Sequence, residues 1–379
     1  MIVGINASRA RSGGAKIHLK KILLNLEISK FNFQKIHVWS DQKLLNELPN
    51  YSWLKKHKPK VKRFIFFELF WEKFILPNKL IENKCNILFN VDSGSVCNFQ
   101  PSVSLNQDIL CFEKKEIRRL KFSFQKLRQI ILKFVQSRNL INSDGCIFLT
   151  DYAFRLIKKN IKNKLKSSII IPHGSQKIQR FKKKKYFPKN SSRSLECLYV
   201  SPVWSFKHQW NVVKAIADLR KKGFKIKLKL VGDIENNSYK LLDSQLKLSD
   251  PKREFIQVYG HVNHHKLSSF YKSADIFIFA SSCESFGITL LEAMSHSLPI
   301  ACSKLSSMPE TLGNTGLYFN PLNHNSITQT LQKLIVQKKL RKKLGDAANK
   351  RSKKYSWKKT TNYTFSYLRD VALKFYKNK

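Results

Sequence analysis

Short apolar runs of four to six residues alternate along this chain with longer stretches whose apolar positions recur every three or four residues. That is the pattern of strands separated by helices. Runs at residues 2–6, 36–40, 86–91, 102–105, 146–150 and 168–172 predict six strands in a first block. A second block repeats the arrangement at 197–201, 227–232, 256–260, 276–280, 299–303 and 316–319. Alternation of this kind predicts parallel sheets with helices on both faces, so the expected fold class is α/β, with two Rossmann-like doubly wound domains. Between the blocks, the polar lysine-rich stretch from Ser175 to Arg193 reads as a linker and places the boundary near residue 180. The predicted division is therefore 1–180, 181–355, and a last helical stretch over 356–379.

Chemistry concentrates in residues 281–303, SSCESFGITLLEAMSHSLPIACS. The run Ile276 to Phe279 before it has strand character, while Ile288, Leu291, Met294 and Leu298 recur at helical spacing. Glu284 then falls in the loop and Glu292 inside the helix. A helix entered through Ser285, Phe286 and Gly287 leaves its first N–H groups without partners, and with the macrodipole these suit a phosphate. Gly287 lets a ligand approach the backbone closely. A helix starting near Phe286 puts Glu292 about 9 Å along its axis, so the two acids can hold opposite ends of one elongated ligand. Spacing alone fits equally an ordinary helix with one exposed Glu and one loop Glu.

The segment Glu284-x7-Glu292-Ala293-Met294, followed by Leu298 and Pro299, resembles the signature of the family 4 glycosyltransferases. These are retaining sugar-nucleotide transferases of the GT-B architecture, in which the second Glu opens E-A-M-(A/S)-x-G-x-P. The resemblance implies two Rossmann-like domains facing a cleft, with a C-terminal helix returning to the first domain. It implies that Glu284 contacts hydroxyls of the transferred sugar and that Glu292 binds the nucleotide ribose. It also implies that the main chain through Phe286, Gly287, Ile288 and Thr289 holds the diphosphate. Ser297 stands where the family has glycine at the helix end and is expected to strain the backbone without touching the chemistry.

Near the N-terminus, the first predicted strand runs through Ser12, Gly13 and Gly14 into a helical stretch from Ala15 to Leu24, a second possible amide nest for a phosphate. The full G-x-G-x-x-G is missing, so a plain tight turn fits as well. In the relatives a Gly-Gly with a following histidine, matching Gly13, Gly14 and His18, approaches the donor diphosphate. Lys207, in YVSPVWSFKHQWNVVKAI, matches the lysine that family members place against that group. A fixed cation there stabilises the charge developing on the departing nucleotide. Pro202 occupies the place of the usual companion arginine. Gly260, His261 and Val262 match a loop near the nucleotide base, making His261 and Val262 donor-binding candidates.

No D-x-D occurs, so no metal site is expected, and no cofactor is expected because the nucleotide-sugar is a substrate. Where many relatives carry a His-Asp pair near the acceptor, this chain has Gln107 and Asp108. Asp108 is thus either an acceptor contact or a structural loop residue. His173, in IPHG, reads more simply as a packed histidine than as a catalytic one.

Composition adds one strong constraint: 71 Lys and Arg face 25 Asp and Glu, a formal charge of +46, so anionic partners are expected. Residues 61–76, and a stripe of Leu120, Phe124, Leu127, Ile131 and Phe134 among basic residues, combine charge with apolar content. Such stretches can lie on an anionic membrane surface, or pack on the first sheet with their lysines in water. The 42% hydrophobic content suits two cores, and seven scattered cysteines indicate neither a disulfide framework nor a zinc site. With neither signal peptide nor membrane span legible, a cytoplasmic protein is expected, on the inner face of the plasma membrane where it meets lipid.

The resulting expectation is a retaining glycosyltransferase that moves a sugar from a nucleotide-diphosphate-sugar to a saccharide or polyprenyl-diphosphate-linked saccharide acceptor in bacterial surface polysaccharide synthesis. The rivals are a basic nucleic-acid-binding protein, disfavoured because the charge is spread along the chain, and a sugar-nucleotide epimerase of the same fold.

Overall fold

The computed structural model describes residues 1–10, 13–61, 64–120, 123–175, 194–234 and 236–378. Ser12 and residues 176–193 of the expected linker lie outside the described residues. The chain forms two compact units, one of residues 1–174 with 355–379, the other of residues 175–354.

The first unit is built on a seven-stranded sheet: β1 (Ile2–Asn6), β2 (Lys35–Trp39), β3 (Leu54–His57), β4 (Ile87–Asn90), β5 (Ser102–Asn106), β6 (Gly145–Phe148) and β7 (Ser168–Ile170). Their order is β3-β2-β1-β4-β5-β6-β7, with parallel pairing throughout the described residues. The second unit carries six parallel strands: β8 (Leu195–Val200), β9 (Ile226–Val231), β10 (Ile256–Val258), β11 (Ile276–Phe279), β12 (Ile300–Ser303) and β13 (Leu317–Phe319). Their order is β10-β9-β8-β11-β12-β13. Central strands such as β4 and β11 are buried at every position, as sheets covered on both faces require.

All twelve predicted strands are present, with ends shifted by one or two residues. The pattern missed β3. Its sequence, LKKH, has no apolar run, because an edge strand has a neighbour on one side only and can carry lysines towards water.

The Trp357–Lys377 helix packs on the first unit, as the resemblance implied, burying Phe365 and Leu368 completely. Phe365 lies 6.1 Å, ring centre to ring centre, from both Phe31 and Phe33. At its start, Trp357 closes over two buried histidines. His18 Nδ1 and His173 Nδ1 are 3.1 Å apart, so one ring must carry its Nδ1 proton and the other must lack it. His173 is thus a packed histidine, and His18 is its partner.

Burial pushes the His18 imidazole down to about 3, and burial followed by the neighbouring His18 pushes His173 well below its usual range. The unfolded imidazoles accept protons near pH 6.5, and the folded pair resists far below that. The unfolded state therefore binds more protons across this window, and stability should fall as pH drops from about 6.5 towards 3. The slope should be roughly 1.4 kcal/mol per pH unit for each imidazole involved. Urea midpoints measured across this range check the trend, and His18→Gln should flatten it.

Candidate functional site

In each sheet the strand order reverses at one place, between β1 and β4 and between β8 and β11. Loops leaving the carboxyl ends of strands at such a reversal diverge and open a crevice for a ligand. In the second unit the two loops concerned are Ser201–His208 after β8 and Ala280–Gly287 after β11. They are stitched together: the Ser282 N–H donates to the Phe206 carbonyl at 2.8 Å, and His208 Nε2 pairs with Ser282 Oγ at 2.8 Å.

This brings Lys207 and Glu284, 77 positions apart, into a direct ion pair. Their side chains are only 7% and 17% exposed, so the pair is largely withdrawn from water. Aromatic rings surround the ammonium, with Nζ at 5.0 Å from the ring centre of Phe206, 5.5 Å from Phe279 and 5.9 Å from Trp204. A cation held against ring faces and one carboxylate keeps its position without many hydrogen bonds. The buried Tyr199 hydroxyl donates to the Lys207 carbonyl, fixing the turn that carries it. Burial, with Glu284 nearby, holds that phenol far above its usual range, so it remains a donor.

Glu284 is anchored through its main chain. Its N–H donates to Ser306 Oγ at 3.0 Å, and the Ser306 hydroxyl donates to its carbonyl at 2.9 Å. The following helix spans Ile288–Ser295, two residues later than the expected start at Phe286. The reason is Gly287, which caps it in the left-handed conformation at φ 81° and cannot belong to the helix. Glu292 is therefore about 6 Å along the axis rather than about 9 Å. Phe286 is buried in the core and its carbonyl accepts from Thr311 Oγ1 at 2.8 Å, so its side chain serves packing. Ile288 and Thr289 form the first turn, where N–H groups have no carbonyl one turn back to receive them.

Glu292 is partly buried, and its Oε2 accepts from the Tyr271 hydroxyl at 2.9 Å. Burial, then Glu292, raises the Tyr271 phenol well above its usual range. Tyr271 stacks at 4.8 Å on His296, whose Nδ1 reaches the Glu292 carbonyl at 2.8 Å. Ser297 adopts φ 58°, the backbone strain expected where glycine is usual.

His261 is exposed and pairs through Nδ1 with Asp233 Oδ1 at 2.8 Å, with Val262 half-buried beside it. Gly232, between β9 and this loop, is required: a Cβ there would sit 2.2 Å from the Ser201 carbonyl oxygen, and its φ is +147°.

In the first unit, Gly13 opens the Gly13–Leu24 helix at φ 63°, and Gly14 faces Gln107 and His173. Asp108 is exposed and Oδ1 accepts the Leu110 N–H at 2.9 Å, the structural loop role left open by its sequence. Among the described residues no group of three or more His, Cys, Asp or Glu side chains is arranged to hold a metal ion.

Sequence reasoning named Lys207, Glu284 and Glu292 as candidates but did not name Tyr199, Tyr271 or Ser306, which set their positions. Nothing local marks these three: Tyr199 holds a carbonyl eight positions further on, and Tyr271 and Ser306 reach acids 21 and 22 positions away.

Residues 181–351 match the family described as "Glycosyl transferases group 1". A segment of 125 residues is 30% identical to sulfoquinovosyl transferase SQD2 of Arabidopsis thaliana, covering 32% of this chain and 24% of that protein. One of 122 residues is 29% identical to the O-antigen chain mannosyltransferase B of Escherichia coli, covering 32% of each. The chain thus spans a quarter to a third of the length of these two relatives. Among solved structures, the sucrose-phosphate synthase of Thermosynechococcus elongatus matches with a TM-score of 0.78 over 98% of this chain and 99% of that one, at 15% identity. The fold is GT-B, with its two Rossmann-like parallel-sheet domains.

Proposed function

We propose that this protein is a retaining glycosyltransferase of family 4 that moves a sugar from a nucleotide-diphosphate donor to a saccharide acceptor. The observation that carries the reading is the Lys207–Glu284 pair, set beside a glycine-capped helix N-terminus at the strand reversal of the second sheet. The family match over residues 181–351 supports it.

The donor's diphosphate meets the N–H groups of the Gly287–Thr289 turn and the ammonium of Lys207. Glu292, steadied by Tyr271, takes the ribose hydroxyls, and Glu284 takes hydroxyls of the sugar. An incoming diphosphate shares Lys207 with Glu284, and that places the carboxylate next to the sugar. As the bond from the anomeric carbon to the phosphate oxygen breaks, its electron pair and charge go to the nucleotide. Lys207 and the helix N-terminus stabilise that charge more strongly in the transition state than in the ground state. The acceptor hydroxyl attacks from the same face and gives its proton to the departing phosphate, which accounts for retention without a protein nucleophile. The cation this scheme needs comes from Lys207, and the sequence has no D-x-D to hold a metal. The acceptor is a lipid-linked saccharide at the cytoplasmic face of an anionic membrane, in surface-polysaccharide synthesis. The likeness to an O-antigen chain mannosyltransferase supports that pathway class.

Thermal unfolding with UDP-, GDP- and ADP-sugars tests the reading. The matching donor at 100 times its Kd should stabilise the protein by about 2.7 kcal/mol. Turnover with acceptor should then release nucleoside diphosphate. An isomerised sugar without that release would identify an epimerase instead, and no stabilisation by any donor would refute the assignment.

A further inference from the structure

Two helical stretches of the first unit are docked with their polar sides inward. In the Phe124–Asn142 helix the buried side chains are Gln129, Gln136, Asn139 and Leu140, three of them amides. Phe124, Leu127, Ile130, Ile131 and Phe134, which share the opposite face, are between 53% and 83% exposed. Hydrogen bonds fix this orientation. Gln136 Oε1 accepts from Ser93 Oγ at 3.1 Å, and Asn139 Nδ2 donates at 2.9 Å both to the Ser93 carbonyl and to Ser104 Oγ.

The helical stretch over residues 64–75 repeats the inversion. Glu68 and Glu72 are buried on either side of Trp71, which anchors the stretch in the core, while Phe64, Phe66, Phe70 and Phe74 are between 50% and 73% exposed. Glu72 Oε1 accepts from Ser8 Oγ at 2.8 Å and pairs with Arg9 at 3.2 Å, so the inward acid is held by the β1 loop. The sequence left open whether these stretches pack on the first sheet with their lysines in water or lie on lipid; in the structure their large apolar side chains mostly face outward.

A surface helix ordinarily turns its apolar stripe to the core, and so many large apolar side chains exposed together mark a binding surface. Charge decides what covers them. The exposed cations include Arg128 and Arg138 on one helix and Lys73 on the other stretch, while Glu68 and Glu72 are withdrawn from the surface. A second copy of a chain with formal charge +46 would be repelled, whereas an anionic bilayer accepts the rings and attracts the cations. The two stretches also border one cavity of about 490 Å³, lined by Lys73 from the first, Phe134, Val135 and Arg138 from the second, and Cys97 and Phe99 between them. Its size is that of a small-molecule site. Cations beside an apolar lining suit a phosphate head with the upper part of its chain.

We infer that the two inverted helical stretches are the bilayer-docking face of this protein, and that the Lys73–Arg138 cavity seats an anionic phospholipid. This deepens the membrane association proposed above and rests on it.

Co-sedimentation of the full chain with vesicles of equal parts phosphatidylglycerol and phosphatidylcholine, against phosphatidylcholine alone, tests both levels. The wild type should prefer the anionic vesicles. Phe66→Ser/Phe124→Ser/Phe134→Ser, at exposed sites where folding is spared, should bind them at least about tenfold more weakly. Lys73→Ala/Arg138→Ala should lose most of the preference for phosphatidylglycerol. An unchanged nucleotide-sugar thermal shift checks that each variant is folded. Wild type that ignores anionic vesicles would overturn the membrane association itself. Wild-type binding that the triple-Phe variant retains in full would overturn this face alone. Retained phosphatidylglycerol preference in the double variant would overturn the cavity assignment. A wild-type dimer in light scattering that the triple variant dissociates would assign the face to a second copy instead.

Discussion

Lys207→Met should lower kcat by about 10²–10³, the loss typical when one group stabilising a developing negative charge is removed. The same change carries a structural cost, because it leaves the Glu284 carboxylate without its cation in a site where only 17% of that side chain is exposed. Breaking a fully buried pair costs about 3–5 kcal/mol, and this partial exposure reduces the figure to about 2 kcal/mol. Loss of activity alone would then be ambiguous. The double variant Lys207→Met/Glu284→Gln separates the two effects: with the carboxylate neutralised, the melting temperature should return towards that of the wild type while turnover stays near background. Glu284→Gln alone should also be inactive, and it should lose stability as well, because it leaves the Lys207 ammonium, 7% exposed, without its carboxylate. A double variant that regains turnover along with stability would show the pair to be a structural element, and wild-type turnover by either single variant would sink the catalytic assignment.

The second large effect belongs to Gly174→Ala. A Cβ on Gly174 would lie 2.1 Å from the Trp357 nitrogen and 2.5 Å from its Cα, both backbone atoms that no side-chain rotation can move away. The C-terminal helix would have to lift at its start. That start carries Trp357, which stands 5.8 Å from His18 and 5.6 Å from His173, ring centre to ring centre. Overpacking against backbone should cost about 3 kcal/mol and lower Tm by about 6–12 °C. Hydrogen exchange should quicken over residues 357–377 and around the histidine pair, whose resistance to protonation depends on being sealed. An unchanged Tm would mean that the helix start adapts freely and that the seal is of little consequence.

Much of the fold and part of the site were legible because their signals are local. Buried parallel strands must be apolar along their length, so the central ones declared themselves, and the edge strands β7, β10 and β13 keep enough apolar residues to be seen; β3 did not, since an edge strand with lysines looks like any polar segment. Glu284, Gly287 and Glu292 stand within nine consecutive residues, and a strand, loop and helix junction is written in such spacing. Lys207 was reached only through resemblance, because one lysine among so many has no distinguishing context.

The sequence by itself determined the two α/β blocks and the strand, loop and helix junction that sets Glu284 in the loop and Glu292 in the helix, all consequences of residue type and short-range spacing. Tertiary structure alone decided that Lys207 pairs with Glu284 inside an aromatic surround, that Tyr271 and Ser306 hold the two acids, and that His18 and His173 meet beneath Trp357. It also decided which way the two amphipathic stretches face. Helical periodicity gives an apolar side and a polar side, but which of them meets the core depends on partners such as Ser93, Ser104 and Arg9, and these come from remote parts of the chain.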